Sequence, residues 1–128
     1  MSNPERDMLA YVHLAALARQ KGQLPGRDKF LVLAASAACH AGWPDVARRC
    51  RSLILEHNPA HLIGRFESVA AALRSEEFQP LVKQLERFCG SERAEFLLEE
   101  LGIDPEQAGR SPNAPVGSDA LRLLAPDN

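Results

Sequence analysis

Proline and glycine fall along this chain at helix-length intervals, and that spacing narrows the possible folds more than any other feature. Asn3-Pro4 and Asn58-Pro59 each put a capping side chain directly before a proline at the first helical position. The missing proline N–H leaves no bond unmade there. Gly42-Trp43-Pro44 stops one helix and starts the next; Gly22 and Pro25-Gly26 break the chain earlier, and Cys89-Gly90-Ser91 supplies a stop and then a cap. These marks predict six helical segments: Pro4–Lys21, Asp28–Ala41, Pro44–His57, Pro59–Arg74, Glu76–Cys89 and Glu92–Leu101. Pro80 lies past the first turn of the fifth, where its ring meets the preceding carbonyl. Glu76–Phe78 is therefore expected either to open that helix or to form a separate turn before a helix starting at Pro80.

Hydrophobic spacing agrees with the punctuation. Leu62, Phe66, Val69 and Leu73 recur at a 3.6-residue period, as do Val46, Cys50 and Leu53, then Leu81, Val82, Leu85 and Phe88, and finally Ala94, Leu97, Leu98 and Leu101. No segment alternates with period two, so no sheet is expected. Aromatic residues are only 5% of the chain, which leaves leucine, alanine and valine to fill the core. Alanine and leucine are strong helix formers, whereas strands favour β-branched and aromatic residues. The expected fold is all-α: antiparallel helical hairpins in an array of five to six helices, carried by residues 1–103, with residues 104–128 as a flexible acidic tail.

The first two segments lack a polar face. Met8–Ala18 is interrupted only by Tyr11 and His13, and Phe30–Ala41 only by Ser36 and His40. A helix apolar on all sides is buried on several sides. For the second segment this predicts a central position. For the first, the alternative is contact with a partner or a second copy through Leu9, Val12 and Ala16, because large apolar patches mark contact sites. Both stretches are too short to cross a bilayer. In the tail, Gly109–Ser118 is rich in Gly, Pro, Ser and Asn, and Ala120–Leu124 is a short apolar patch expected to dock loosely or to stay disordered.

Charge bears on partners. Residues 1–103 carry 13 basic and 13 acidic side chains, so the net charge of −2 lies in the tail. Binding to nucleic acid needs a basic face, and a neutral body gives none; no nucleic-acid or membrane partner is expected. Arg48, Arg49 and Arg51 form the one basic cluster, with Asp45 three and four residues before the first two, a spacing that suits local ion pairs. Cys39, Cys50 and Cys89 are an odd number at wide spacing, behind a polar Met1–Asp7. They read as small hydrophobes in a reducing compartment, which predicts a cytoplasmic protein.

Several constellations bear on chemistry. His57 and His61 are four apart, a spacing that would suit metal ligation on one continuous helix, but Asn58-Pro59 separates them. No Cys-x-x-Cys and no His-Glu-x-x-His occurs, so no metal site and no cofactor is expected. Cys39 and His40 are adjacent and point about 100° apart on a helix, which does not make a nucleophile–base pair. Glu95, Glu99 and Glu100 read as a solvated face. Trp43, the single tryptophan, is either a staple for the turn it occupies or an exposed anchor for a partner.

Asp28–His61 resembles a tetratricopeptide repeat, a 34-residue helix–turn–helix unit. The matching residues are Ala35 and Ala38 in the first helix, Gly42 at the turn, Ala47 in the second helix and Pro59 at its end. A shift of 34 residues preserves the helix–turn–helix outline but keeps only Ala72 of that signature, so a second unit is degenerate. Leu31 stands where the family has a large aromatic, and Ile54 where it has a small residue. The resemblance implies protein–protein binding without catalysis. The expectation from sequence is thus a non-catalytic interaction module that binds another protein or itself, using Leu9, Val12, Trp43, Arg48 and Arg49. The alternative is a small enzyme or metal-dependent protein using His40, His57 or His61 with a cysteine.

Overall fold

The computed structural model describes residues 3–125 and contains no strand among them. Helix α1 is Pro4–Gln20, α2 is Leu24–Ala41 and α3 is Pro44–His57. A 3₁₀ turn at Leu62–Arg65 leads to the short α4 at Val69–Leu73. Then come α5 at Gln79–Phe88, α6 at Ser91–Glu100 and α7 at Val116–Leu124.

Most boundaries sit where the punctuation puts them. The Asn3 side chain accepts from the Arg6 N–H at 3.1 Å and opens α1. Gly42 closes α2 at φ +82°, the left-handed conformation that a side chain disfavours, and its turn hands directly to Pro44 in α3. Two starts differ from expectation. Helix α2 begins at Leu24 rather than Asp28, because Pro25 falls in the first turn, where its ring is harmless. Helix α5 begins at Gln79, so the turn that precedes Pro80 is separate from it.

The fourth segment is not one helix. The 3₁₀ turn ends at Phe66, whose backbone is extended at φ −113° and ψ 148°, and a new helix starts only where the Ser68 hydroxyl accepts from the Ala71 N–H at 3.0 Å. The stripe Leu62, Phe66, Val69 and Leu73 is thus shared among a turn, an extended residue and one helical turn.

Helix α2 is central. It packs along α1 and α3 and also meets α4 and α5. Leu31, Val32, Leu33, Ala34, Ala35 and Ala38 are all 3% exposed or less. The core around it includes Met8, Leu9 and Val12 of α1, Val46, Cys50 and Ile54 of α3, and Ile63, Phe78 and Leu98. Burying one side chain of this size contributes roughly 1.5–3 kcal/mol.

The C-terminal segment joins that core. Residues 104–128 are expected as a flexible tail, yet α7 packs against α1 and α3 and buries Ala120 and Leu124. Two contacts tie the segment to the core, Gly117 on Trp43 and His13 on Ala108, and a buried carboxylate braces the segment internally. Gly117 lies flat on the Trp43 ring, where an added Cβ would come within 2.7 Å of Cζ3 and 2.8 Å of Cδ2. Asp119, fully buried, accepts from Arg110 Nε at 2.6 Å and from Arg122 Nη2 at 2.8 Å. His13 of α1 donates from Nε2 to the Ala108 carbonyl at 3.2 Å. Asp127, counted with the tail's acidic residues, lies outside the described residues.

Candidate functional site

Leu9 and Val12 are 1% and 0% exposed. The expectation that they form a contact surface is corrected: α2, α6 and α7 cover α1. Its apolar circumference is the signature of a helix buried on several sides, and α7 supplies one of those sides.

Trp43 is half-buried. Its Nε1 donates to Glu5 Oε2 at 3.0 Å while its ring carries Gly117. The tryptophan is therefore a staple that joins the α2–α3 turn to α1 and α7. The arginines of α3 do not form one free face. Arg48 pairs with Asp45 at 3.1 Å in solvent, Arg49 is partly covered, and Arg51 turns inward to donate to the Phe66 carbonyl at 2.8 Å.

Exposed apolar area is concentrated elsewhere. Phe88 at the end of α5, and Phe96 and Leu101 at α6, are 45%, 54% and 56% exposed. Leu101 lines a groove of about 270 Å³ together with Leu14, Leu17, Phe30 and Leu97, with Lys21 and Glu100 also in its wall. Phe30 links the groove to Phe88, the two ring centroids lying 5.9 Å apart, and the Lys29 ammonium rests over the Phe88 ring at 4.8 Å. From sequence, the stripes through Phe88 and Leu97 read as core. The helices do bury one side of each, Leu85 and Leu98, while leaving the flanking aromatic outside.

A second feature lies where α2 begins and α3 ends. Arg27 and Asp28 are 8% and 7% exposed, unusual for adjacent charged residues. Arg27 Nη2 donates to Asp28 Oδ1 at 3.0 Å and to the Leu53 carbonyl at 3.1 Å. His57 Nδ1 donates to Asp28 Oδ2 at 2.5 Å. His61 lies beyond Asn58-Pro59, and its Nδ1 accepts from the Ile63 N–H at 3.0 Å. Burial lowers the His61 pKa below its ordinary value, opposed by the Asp28 charge. His57 and His61 line one cleft of about 490 Å³ with Val32, Leu81, Gln84 and Leu85. The 57/61 spacing is visible in the sequence; Asp28 as the residue that orients His57 is not, because Arg27-Asp28 looks like any solvated pair.

The cysteines lie apart from this cleft, and no thiol lines it. Burial raises the pKa of Cys39 and Cys89 and pushes Cys50 up to about 12. A thiol held protonated is a poor nucleophile. His40 donates from Nδ1 to the Ser36 carbonyl at 2.8 Å, one turn back on its own helix. Among the described residues, no group of three or more His, Cys, Asp or Glu side chains is placed to hold a metal ion, and no helix is long and apolar enough to cross a membrane. No family model matches the chain, and no curated protein or solved structure matches it either.

Proposed function

We propose that this chain is a non-catalytic protein-interaction module built of helical hairpins, and that its contact surface is the apolar rim at the end of α5 and along α6. The observation that carries this reading is the exposure of Leu101 on the groove of Leu14, Leu17, Phe30 and Leu97, with exposed Phe88 against Phe30 and exposed Phe96 on α6. Exposed apolar side chains gain free energy when a partner covers them, roughly 1.5–3 kcal/mol for each large one. The partner is another protein or a second copy of the chain.

The tetratricopeptide-like reading of Asp28–His61, as part of a right-handed array of hairpins, is consistent with this role. Gly42 turns the chain between α2 and α3, and Ala35, Ala38 and Ala47 are buried within that hairpin. A cytoplasmic setting fits the three free cysteines.

A photocrosslinker at position 96, in cells of the natural host, tests the reading. It is expected to join the chain to one dominant protein or to a second copy. The double substitution Phe88→Asp and Leu101→Asp should abolish the adduct while the far-ultraviolet spectrum stays unchanged. An equal yield from a crosslinker at position 48 on α3, or a yield unmoved by the double substitution, would overturn it.

A further inference from the structure

The fold leaves one nitrogen of His57 and one of His61 unused in the same cleft. An ionised carboxylate only accepts, so Asp28 fixes the His57 proton on Nδ1 and leaves Nε2 as the open edge of the ring. His61 is held in the opposite sense. Its Nδ1 accepts a backbone N–H, so the proton of the neutral ring sits on Nε2. Among the described residues neither Nε2 has a protein partner. The cleft therefore presents a base from one imidazole and a donor from the other.

The rest of the lining selects the ligand. Pro25, Val32, Leu81 and Leu85 supply an apolar wall, the Asn58 and Gln84 amides stand among them, and Lys29 adds a positive charge suited to an acidic head group. Among the described residues Asp28 is the one carboxylate that lines the cleft, and both of its oxygens are engaged: Oδ1 by Arg27, Oδ2 by His57. No free carboxylate stands there to repel an acidic head group. A carboxyl group has what the two rings lack: an O–H to share with a base and a C=O to accept from a donor.

We propose that this cleft binds a small aliphatic carboxylic acid. The carboxyl proton is shared between one ligand oxygen and His57 Nε2, the other oxygen accepts from His61 Nε2–H, and the alkyl body lies on Val32, Leu81 and Leu85. A volume of about 490 Å³ is ample for a chain of several carbons. Lys29 lies between this cleft and Phe88 of the apolar rim, but the groups that hold the ligand, His57 and His61, are not part of the rim, and neither proposal depends on the other.

Amide spectra of the ¹⁵N-labelled full chain, titrated with hexanoate, hexanol and acetate, provide the test. Hexanoate is expected to shift His57, His61, Val32 and Leu85 saturably and to bind at least tenfold more tightly than either control. His61→Asn keeps a side-chain acceptor for the Ile63 N–H but removes the Nε2 donor, and should weaken hexanoate at least fivefold. Gln84→Glu, at an exposed position on the cleft wall, sets a carboxylate against the head group and should weaken it at least tenfold. Hexanol binding as tightly as hexanoate would overturn the proposal. So would shifts confined to other parts of the molecule, no saturable shift at these residues, or an unchanged affinity in Gln84→Glu.

Discussion

The seam between α2 and α3 is apolar along most of its length, with a buried polar contact, Arg27 and Asp28 on Leu53 and His57, where α2 begins and α3 ends. Ala34, Ala35, Ala38, Ala47, Cys50 and Ile54 are each 3% exposed or less, and a two-residue turn joins the helices. Residues 104–125 reach the same core differently. They are braced internally by a carboxylate between two arginines and held to the core by an imidazole on a carbonyl and one glycine against an indole, with Ala120 and Leu124 buried. Methyl contacts do not titrate, whereas ion pairs and imidazoles do. Attachment of the C-terminal segment therefore includes groups that respond to acid, whereas the methyl contacts of the α2–α3 seam do not.

The contrast can be broken in order of expected effect. Ile54→Ala removes buried methyl and methylene groups from the hairpin and should cost roughly 2–5 kcal/mol in urea unfolding, equally at pH 7 and pH 5. Gly117→Ala forces a Cβ into the Trp43 ring and should cost about 1–3 kcal/mol. Hydrogen exchange should then quicken in α7 and also in α1, which α7 covers. Faster exchange in α7 alone would show that the cover is dispensable.

Acid should act on the C-terminal segment in two steps. Burial lowers the His13 pKa, only partly offset by its bond to the Ala108 carbonyl, so the unfolded chain takes up that proton first. Its contribution is complete above about pH 6.5 and declines as pH falls below that value. The urea midpoint should therefore drop between pH 7.5 and 5.5. His13→Gln should reduce the drop, and His61, lowered for the same reason, should account for a residual slope. Asp119 follows at lower pH. Burial opposes its charge, but hydrogen bonds from Arg110, Ser111 and Arg122 outweigh that and hold the carboxyl below its ordinary 3.8. That stabilisation is present above about pH 4 and is lost as pH falls through the lowered value. Asp119→Asn should remove this second step in exchange measurements on α7. The smallest effect belongs to Arg48→Ala, which breaks an exposed pair with Asp45 and should change stability by less than about 0.5 kcal/mol.

The hairpins are legible in the sequence because their determinants are local. Pro4, Pro44, Gly42 and Gly90 mark ends, and the apolar periods of α3, α5 and α6 mark faces. The fourth segment misleads because Leu62, Phe66, Val69 and Leu73 satisfy the helical period, while a competing local signal, the Ser68 cap, restarts the helix after an extended Phe66. The C-terminal docking is hidden for another reason. Gly117 against Trp43 and His13 against Ala108 are contacts between distant positions, and a glycine chosen for flatness looks like a glycine chosen for a turn. The same holds for the clefts. The spacing of His57 and His61 is on the page, but the buried Asp28 that orients His57 is recognisable only once α2 and α3 meet.

That α1 is sheltered by α7 matters for how the chain is made. A ribosome releases Met8–Ala15 long before Val116–Leu124, so through most of synthesis α1 has α2 against it but lacks a cover on the side that α7 later takes. Shielding of that open side during translation would then bear on yield as well as on the final stability.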